Sequence, residues 1–166
     1  MDIRRATAAD IPFVMATERL PGYEAVVGRW DEATHRAALA DPGHAYFVAV
    51  DVDGPIGFVI LRGWNAPERV VLLKRIAVAS PGRGAGRALL ETVVDTVFAE
   101  TDAHRLWLGV FPDNLRARRA YEAVGFRAEG VARGNAYFGG IHHDELIMAV
   151  LRTDRHPAPP NDRASP

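Results

Sequence analysis

Cysteine is absent from all 166 residues. That excludes disulfides, thiolate metal sites and a cysteine nucleophile, and it leaves the redox compartment undetermined. Excess charge is absent as well: 20 Lys and Arg stand against 21 Asp and Glu, a formal net charge of −1. No overall charge therefore argues for nucleic acid or an anionic membrane as a partner. No apolar run is long enough to span a bilayer, and the opening "MDIRRATAAD" lacks an apolar signal core. The expected location is the cytoplasm, with no membrane contact. What remains is the balance of a soluble globular domain, 48% hydrophobic and 25% charged, in a length that suits one ordinary core.

The order of elements reads β-α-α-β-β-β-α-β-α-β-β, a single mixed α/β domain over residues 1–152. "DIRRAT" forms a first strand. Thr7 with Asp10 three residues later opens a helix through "AADIPFVMATERL", and Pro12 fits its first turn. "PGYEAVVGRW" breaks the pattern as a loop, and Asp31 caps "EATHRAALA". "HAYFVAV" and "PIGFVILRGW" are strands joined at Asp53-Gly54, and "RVVLLKRIAVA" is a central strand. Leu89, Leu90, Val93, Val94, Val97 and Phe98 recur at helical spacing. "HRLWLGVF" is the next strand, Asp113 or Asn114 caps "LRARRAYEAV", and Gly125 stops it. Two strands follow, with Gly139-Gly140 between them. The segment 153–166, "TDRHPAPPNDRASP", carries no periodicity and four prolines, and reads as a disordered tail.

Between the central strand and the third helix lies "SPGRGAGRALL", Ser80 to Leu90. A strand running through glycines into a helix gathers free backbone N–H groups and the positive end of a helix dipole, which suits an anion. Arg83 and Arg87 add positive charge. The same pattern fits a plain strand-to-helix turn. It is not a P-loop, because Arg87-Ala88 follows Gly86 where Lys-Ser or Lys-Thr belongs. It is not a dinucleotide fingerprint either, because the final glycine falls on Arg87 or Leu89.

"RIAVASPGRGAGRALL" followed by "NLRARRAYEAVGF" resembles the two central motifs of the GNAT N-acetyltransferase superfamily. The first is similar to its pyrophosphate loop, with Gly84 and Gly86 as the glycines. The second is similar to its Asn…Tyr-x-x-x-Gly-Phe segment, with Asn114, Tyr121, Gly125 and Phe126 in place. The likeness covers about residues 2–152, and "YFGGIHHDELIMAVL" resembles the last hairpin of the polyamine- and ribosomal-protein-acetylating branch. It implies the family fold: a mixed, mostly antiparallel sheet with one parallel central pair and flanking helices.

The resemblance also implies a chemistry. Acetyl-CoA is the co-substrate and a primary amine, on a small molecule or a peptide, is the acceptor. Ile76, Ala77 and Val78 pair through their backbone with the pantetheine arm. The loop of Gly82, Arg83, Gly84, Ala85, Gly86 and Arg87 holds the pyrophosphate, and Asn114 binds CoA or orders its helix. A backbone N–H of the strand polarises the thioester carbonyl. Tyr121 protonates the departing thiolate as general acid. Dimerisation, common in the family, allows a homodimer.

Three departures stand out. The Gln/Arg position of the loop is Pro81, the loop from Ala79 to Arg83 is short, and Gly109 occupies a strand position where some members carry a base glutamate. The general base is left unassigned, and a non-catalytic acyl-CoA-binding module of the same fold is the alternative reading.

Other residues admit simpler roles. Without the family pattern Tyr121 reads as a structural tyrosine. His142, His143, Asp144 and Glu145 are dense in titratable groups, but neighbours on a strand face opposite ways, so a polar hairpin end fits better than a metal site. One of the four is expected to line the acceptor site. Glu18, Tyr23, Glu24 and Trp30 lie where the family builds that site, with solvent exposure the plain expectation for the two acids. "RARR", Arg116 to Arg119, reads as a solvated helix face, with Arg116 or Arg119 nearest the CoA phosphates. One of Lys74 and Arg75 faces the cleft.

Overall fold

A computed structural model describes residues 1–82 and 84–155. Strands β1 (Asp2–Arg5), β2 (His44–Asp51), β3 (Gly54–Arg62), β4 (Val70–Val78), β5 (Arg105–Val110), β6 (Arg127–Phe138) and β7 (Ile141–Leu151) form one sheet in the order β1-β2-β3-β4-β5-β7-β6. Only β4 and β5 run parallel; the other pairings are antiparallel. Helices α1 (Ile11–Glu18), α2 (Glu32–Ala40), α3 (Ala85–Glu100), α4 (Leu115–Ala123) and α5 (Arg152–Arg155) complete the chain.

The helix expected from Thr7 divides in two. Ala8–Asp10 is a 3-10 turn and α1 begins at Ile11. The cap anticipated at Thr7 is there, its N–H donating to Asp10 Oδ2 at 2.8 Å. Arg4 grips the same carboxylate with two N–H groups at 2.7 and 2.9 Å. That pairing, chiefly, draws the Asp10 carboxyl down to about 2.

Apolar side chains on the two faces of the sheet make two cores. The larger holds Leu89, Leu90, Val93, Val94, Val97 and Phe98, the α3 stripe, against Val71, Leu73, Leu106, Leu108, Met148 and Val150. The smaller holds Val14, Val27 and Ala38 against Tyr46, Phe58, Ile60 and Ala77. A bulge in β4 switches that strand between them. Ile60 pairs with Arg75 and Leu61 with Leu73, so Lys74 is the extra residue. Leu73 thus joins the α3 core, while Arg75 and Ala77 turn to the side of α1 and α2.

The β4–β5 ladder is short. It joins Val70, Val71 and Leu72 to Arg105, Leu106 and Trp107, while β4 runs on to Val78 and β5 to Val110. Beyond the ladder the strands are bonded only to their outer neighbours, and a cleft opens between them. At the far end, Arg152 donates to the carbonyls of Phe98, Thr101 and Ala103 at 2.7–2.9 Å. It satisfies carbonyls left open at the α3 C-terminus. Thr153, Asp154 and Arg155, read from sequence as the start of the tail, belong to α5; the rest of that tail, 156–166, lies outside the described residues.

Candidate active site

The cleft has a volume of about 550 Å³ and is lined by β4, the glycine loop and α4. Ile76, Ala77, Val78, Gly82, Gly84, Gly86, Arg87, Asn114 and Tyr121 all border it. Arg83 lies outside the described residues. Ala85 is absent from the lining: it starts α3 and its methyl packs on the α3 core, with its backbone N–H in the first turn of the helix. Arg87 borders the cleft but also donates to Glu91 at 2.9 Å on the exposed helix face.

The loop's backbone explains two of its glycines. Gly82 and Gly84 have φ of +98° and +81°, a region that favours glycine, and Gly84 is the α3 N-cap. Gly86 is different. A Cβ there would meet nothing nearer than Val78 Cγ2 at 3.9 Å. Neither backbone conformation nor packing requires that glycine.

Tyr23 was expected beside the acceptor, yet its hydroxyl reaches β4, at Val78. It donates to the Val78 carbonyl at 2.9 Å and accepts the Val78 N–H at 3.3 Å. The strand edge assigned to pantetheine is therefore partly occupied by the protein's own side chain.

Asn114 caps α4, its Oδ1 accepting the Ala117 N–H at 3.2 Å. Within "RARR", Arg116 borders the cleft, whereas Arg118 turns inward and donates to the Pro112 carbonyl at 2.9 Å. Tyr121 is partly buried against Phe126, ring centroids 5.8 Å apart. Desolvation pushes its hydroxyl up to about 12.

A second cavity of about 320 Å³ adjoins the first. The two share Val26, Val27, Asn114 and Tyr121. The second is walled by Lys74 and Arg75 of β4, Gly109 and Val110 of β5, Asn135–Phe138 of β6 and Glu145 of β7. The Lys74 ammonium is lowered, first by desolvation and then by Arg75 and Arg62, with Glu145 acting the other way. The dense quartet separates as strand alternation requires. His142 packs on Tyr137 with ring centroids 5.0 Å apart, and His143 on Phe111 at 5.5 Å. Asp144 accepts the Gly134 N–H at 2.8 Å, and Glu145 enters the cavity. Among the described residues no group of three metal-ligating types comes together.

Arg75, in the wall of this cavity, belongs to a buried charged network whose Glu18 had solvent exposure as its plain expectation. Glu18 and His35 have no exposed surface. Glu18 Oε1 accepts from Arg75, and Oε2 lies 3.2 Å from His35 Nε2. His35 Nδ1 is 3.1 Å from the Tyr46 hydroxyl, which burial pushes up to about 12. The Arg75 guanidinium lies 4.6 Å over the Trp30 ring. Glu24, by contrast, is exposed and accepts the Gly22 N–H. The available signal for the network was Arg75 itself, a fixed charge inside an apolar strand.

Comparison with known proteins agrees with this geometry. The acetyltransferase (GNAT) family matches residues 13–126. The Bacillus subtilis (strain 168) protein named "Probable N-acetyltransferase YjcK" is 38% identical over 97 residues, 58% of this chain and 52% of that protein. The chain thus spans about half the length of that relative. "Uncharacterized N-acetyltransferase Rv2669" of Mycobacterium tuberculosis is 34% identical over 142 residues, 84% of this chain and 85% of that one. A solved spermidine N-acetyltransferase from Vibrio cholerae, in complex with CoA and spermine, shares the fold with a TM-score of 0.81 at 23% identity. That likeness covers 92% of this chain and 96% of the other. The sequence match and the shared fold point to one class of protein, the acetyltransferases. The chain belongs to the acetyltransferase (GNAT) family.

Proposed function

We propose that this protein moves an acetyl group from acetyl-CoA to a primary amine by direct attack. The observation that carries the reading is the junction of the two cavities at Asn114 and Tyr121. The larger takes the cofactor. Its pyrophosphate rests on the amides of Gly82 and of Gly84 to Arg87, at the positive end of α3. Its pantetheine arm follows the β4 edge at Ile76 and Ala77, and it reaches Val78 once the Tyr23 hydroxyl moves aside. The smaller cavity takes the amine.

In that arrangement the thioester carbonyl lies against β4, where a backbone N–H stabilises the developing oxyanion. The neutral amine nitrogen attacks the carbonyl carbon, and the tetrahedral intermediate expels the CoA thiolate. Tyr121 supplies that sulfur with a proton. Its hydroxyl, pushed up to about 12 by burial, is fully protonated at neutral pH. A primary amine on a flexible chain suits the site, in keeping with the spermine-bound neighbour.

The test follows free thiol as acetyl-CoA is offered with a panel of polyamines, amino acids and peptide N-termini. Amine-dependent thiol release is expected. Acetyl-CoA binding without thiol release on any amine would favour the non-catalytic module instead.

A further inference from the structure

The proposed reaction needs a group to take a proton, because an aliphatic amine is an ammonium ion at neutral pH and has no free electron pair. The β5 position facing the cavity is Gly109, which has no side chain to offer. We infer that Glu145 of the neighbouring strand is that base and that Gly109 is glycine to admit it. This rests on the acetyltransferase reading above.

Register places the two together. Gly109 pairs with Ile147, and Glu145 lies two residues along β7 on the same face. Such diagonal neighbours lie within reach of a long side chain. Here the approach is so close that a side chain at 109 would displace the carboxylate. A Cβ on Gly109 would lie 2.7 Å from the Glu145 carboxyl carbon and 2.8 and 2.9 Å from its two oxygens. The carboxylate thus occupies the volume that a β5 side chain would fill. Gly109 has no positive φ that would call for glycine.

The carboxylate is also held. Asn135 Nδ2 donates to Glu145 Oε2 at 2.6 Å. Asn135 can reach because β6 bulges between Ala132 and Ala136, opposite Glu145 and His143. Oε1 has no hydrogen-bond donor among the described residues, which leaves it for a ligand. The charged and titratable groups around it are Lys74 and Arg75 from β4, Tyr121 from α4 and Tyr137 from β6. Arg75 is committed to Glu18. Lys74 is exposed at the bulge, on a flexible stem, and has no comparable clamp.

The proton inventory closes. The ammonium gives one proton to Glu145, and its nitrogen pair then forms the C–N bond. The C–S bond breaks as Tyr121 protonates sulfur. The phenolate recovers a proton from the product nitrogen, leaving the amide, and Glu145 releases its own to solvent. The amine therefore enters as a cation, beside a carboxylate and the aromatic wall of Phe111, Tyr137 and Phe138.

The test measures kcat, KM and their pH dependence with any amine that supports thiol release, for wild type, Glu145→Gln, Gly109→Ala and the double variant. Glu145→Gln is expected to lose about 10²-fold in kcat at neutral pH, with acetyl-CoA affinity unchanged. The loss shrinks as pH rises, because more of the amine is already neutral; a merely structural role gives no such recovery. Gly109→Ala is expected to fold, since its Cβ meets only the far end of a flexible side chain, and to show the same defect. The double variant is expected to be no worse than Glu145→Gln alone. Turnover of Glu145→Gln within about threefold of wild type, far below a general-base effect, overturns the inference and leaves the acetyltransferase reading intact. So does a profile that responds to Lys74→Met instead. Absence of thiol release by wild type with every amine removes both.

Discussion

The two cavities that meet at Tyr121 are made of different material. The larger takes half of its lining from one stretch of sequence, the β4 edge, the glycine turn and the start of α3, with α4 and the loop after α1 supplying the rest. The smaller cavity draws on β4, β5, β6, β7, α4 and the loop after α1. Backbone donors tolerate drift in the residues that carry them, provided the turn survives. Side-chain walls change with every substitution. One architecture can thus hold a constant cofactor and exchange its acceptors.

The comparison makes different demands on each half. The acceptor half rests on the Glu18, Arg75 and His35 network, which removal of one member leaves with an uncompensated buried charge. Glu18→Ala is expected to cost about 3–5 kcal/mol of stability, read by urea denaturation. A loss under about 1 kcal/mol, the range of an exposed pair, would show that the loop over the cavity does not depend on the network. The cofactor half is expected to respond more mildly. Tyr23→Phe removes the hydroxyl that occupies Val78 and is expected to tighten acetyl-CoA binding up to about tenfold, the scale of one net hydrogen bond, by calorimetry. Weakened binding would place Tyr23 as a ligand to the cofactor.

The same contrast decides what could be read in advance. The elements were legible because turn chemistry and period are local: Asp53-Gly54, Gly125 and the α3 stripe each act within a few residues. The glycine turn into α3 was legible because its residues are contiguous. Glu145 was seen only as one of four titratable neighbours, because its meaning depends on Gly109 in another strand. Glu18 was expected in solvent because an acid at the end of a short helix resembles a surface residue; its burial follows from Arg75 crossing the sheet. That crossing follows in turn from the bulge at Lys74, which strict alternation along β4 does not reveal. Tyr23 was read as part of the acceptor site, and nothing local to it announces a bond to Val78.

Tyr121 lines both cavities and is the proposed proton donor between them. Its most direct test compares wild type and Tyr121→Phe in two readings, kcat for thiol release and the Kd for acetyl-CoA by calorimetry. The prediction is a fall in kcat of about 10²-fold, close to 2.7 kcal/mol of transition-state stabilisation, with Kd changed little. Unchanged turnover would remove Tyr121 from the chemistry and contradict the account.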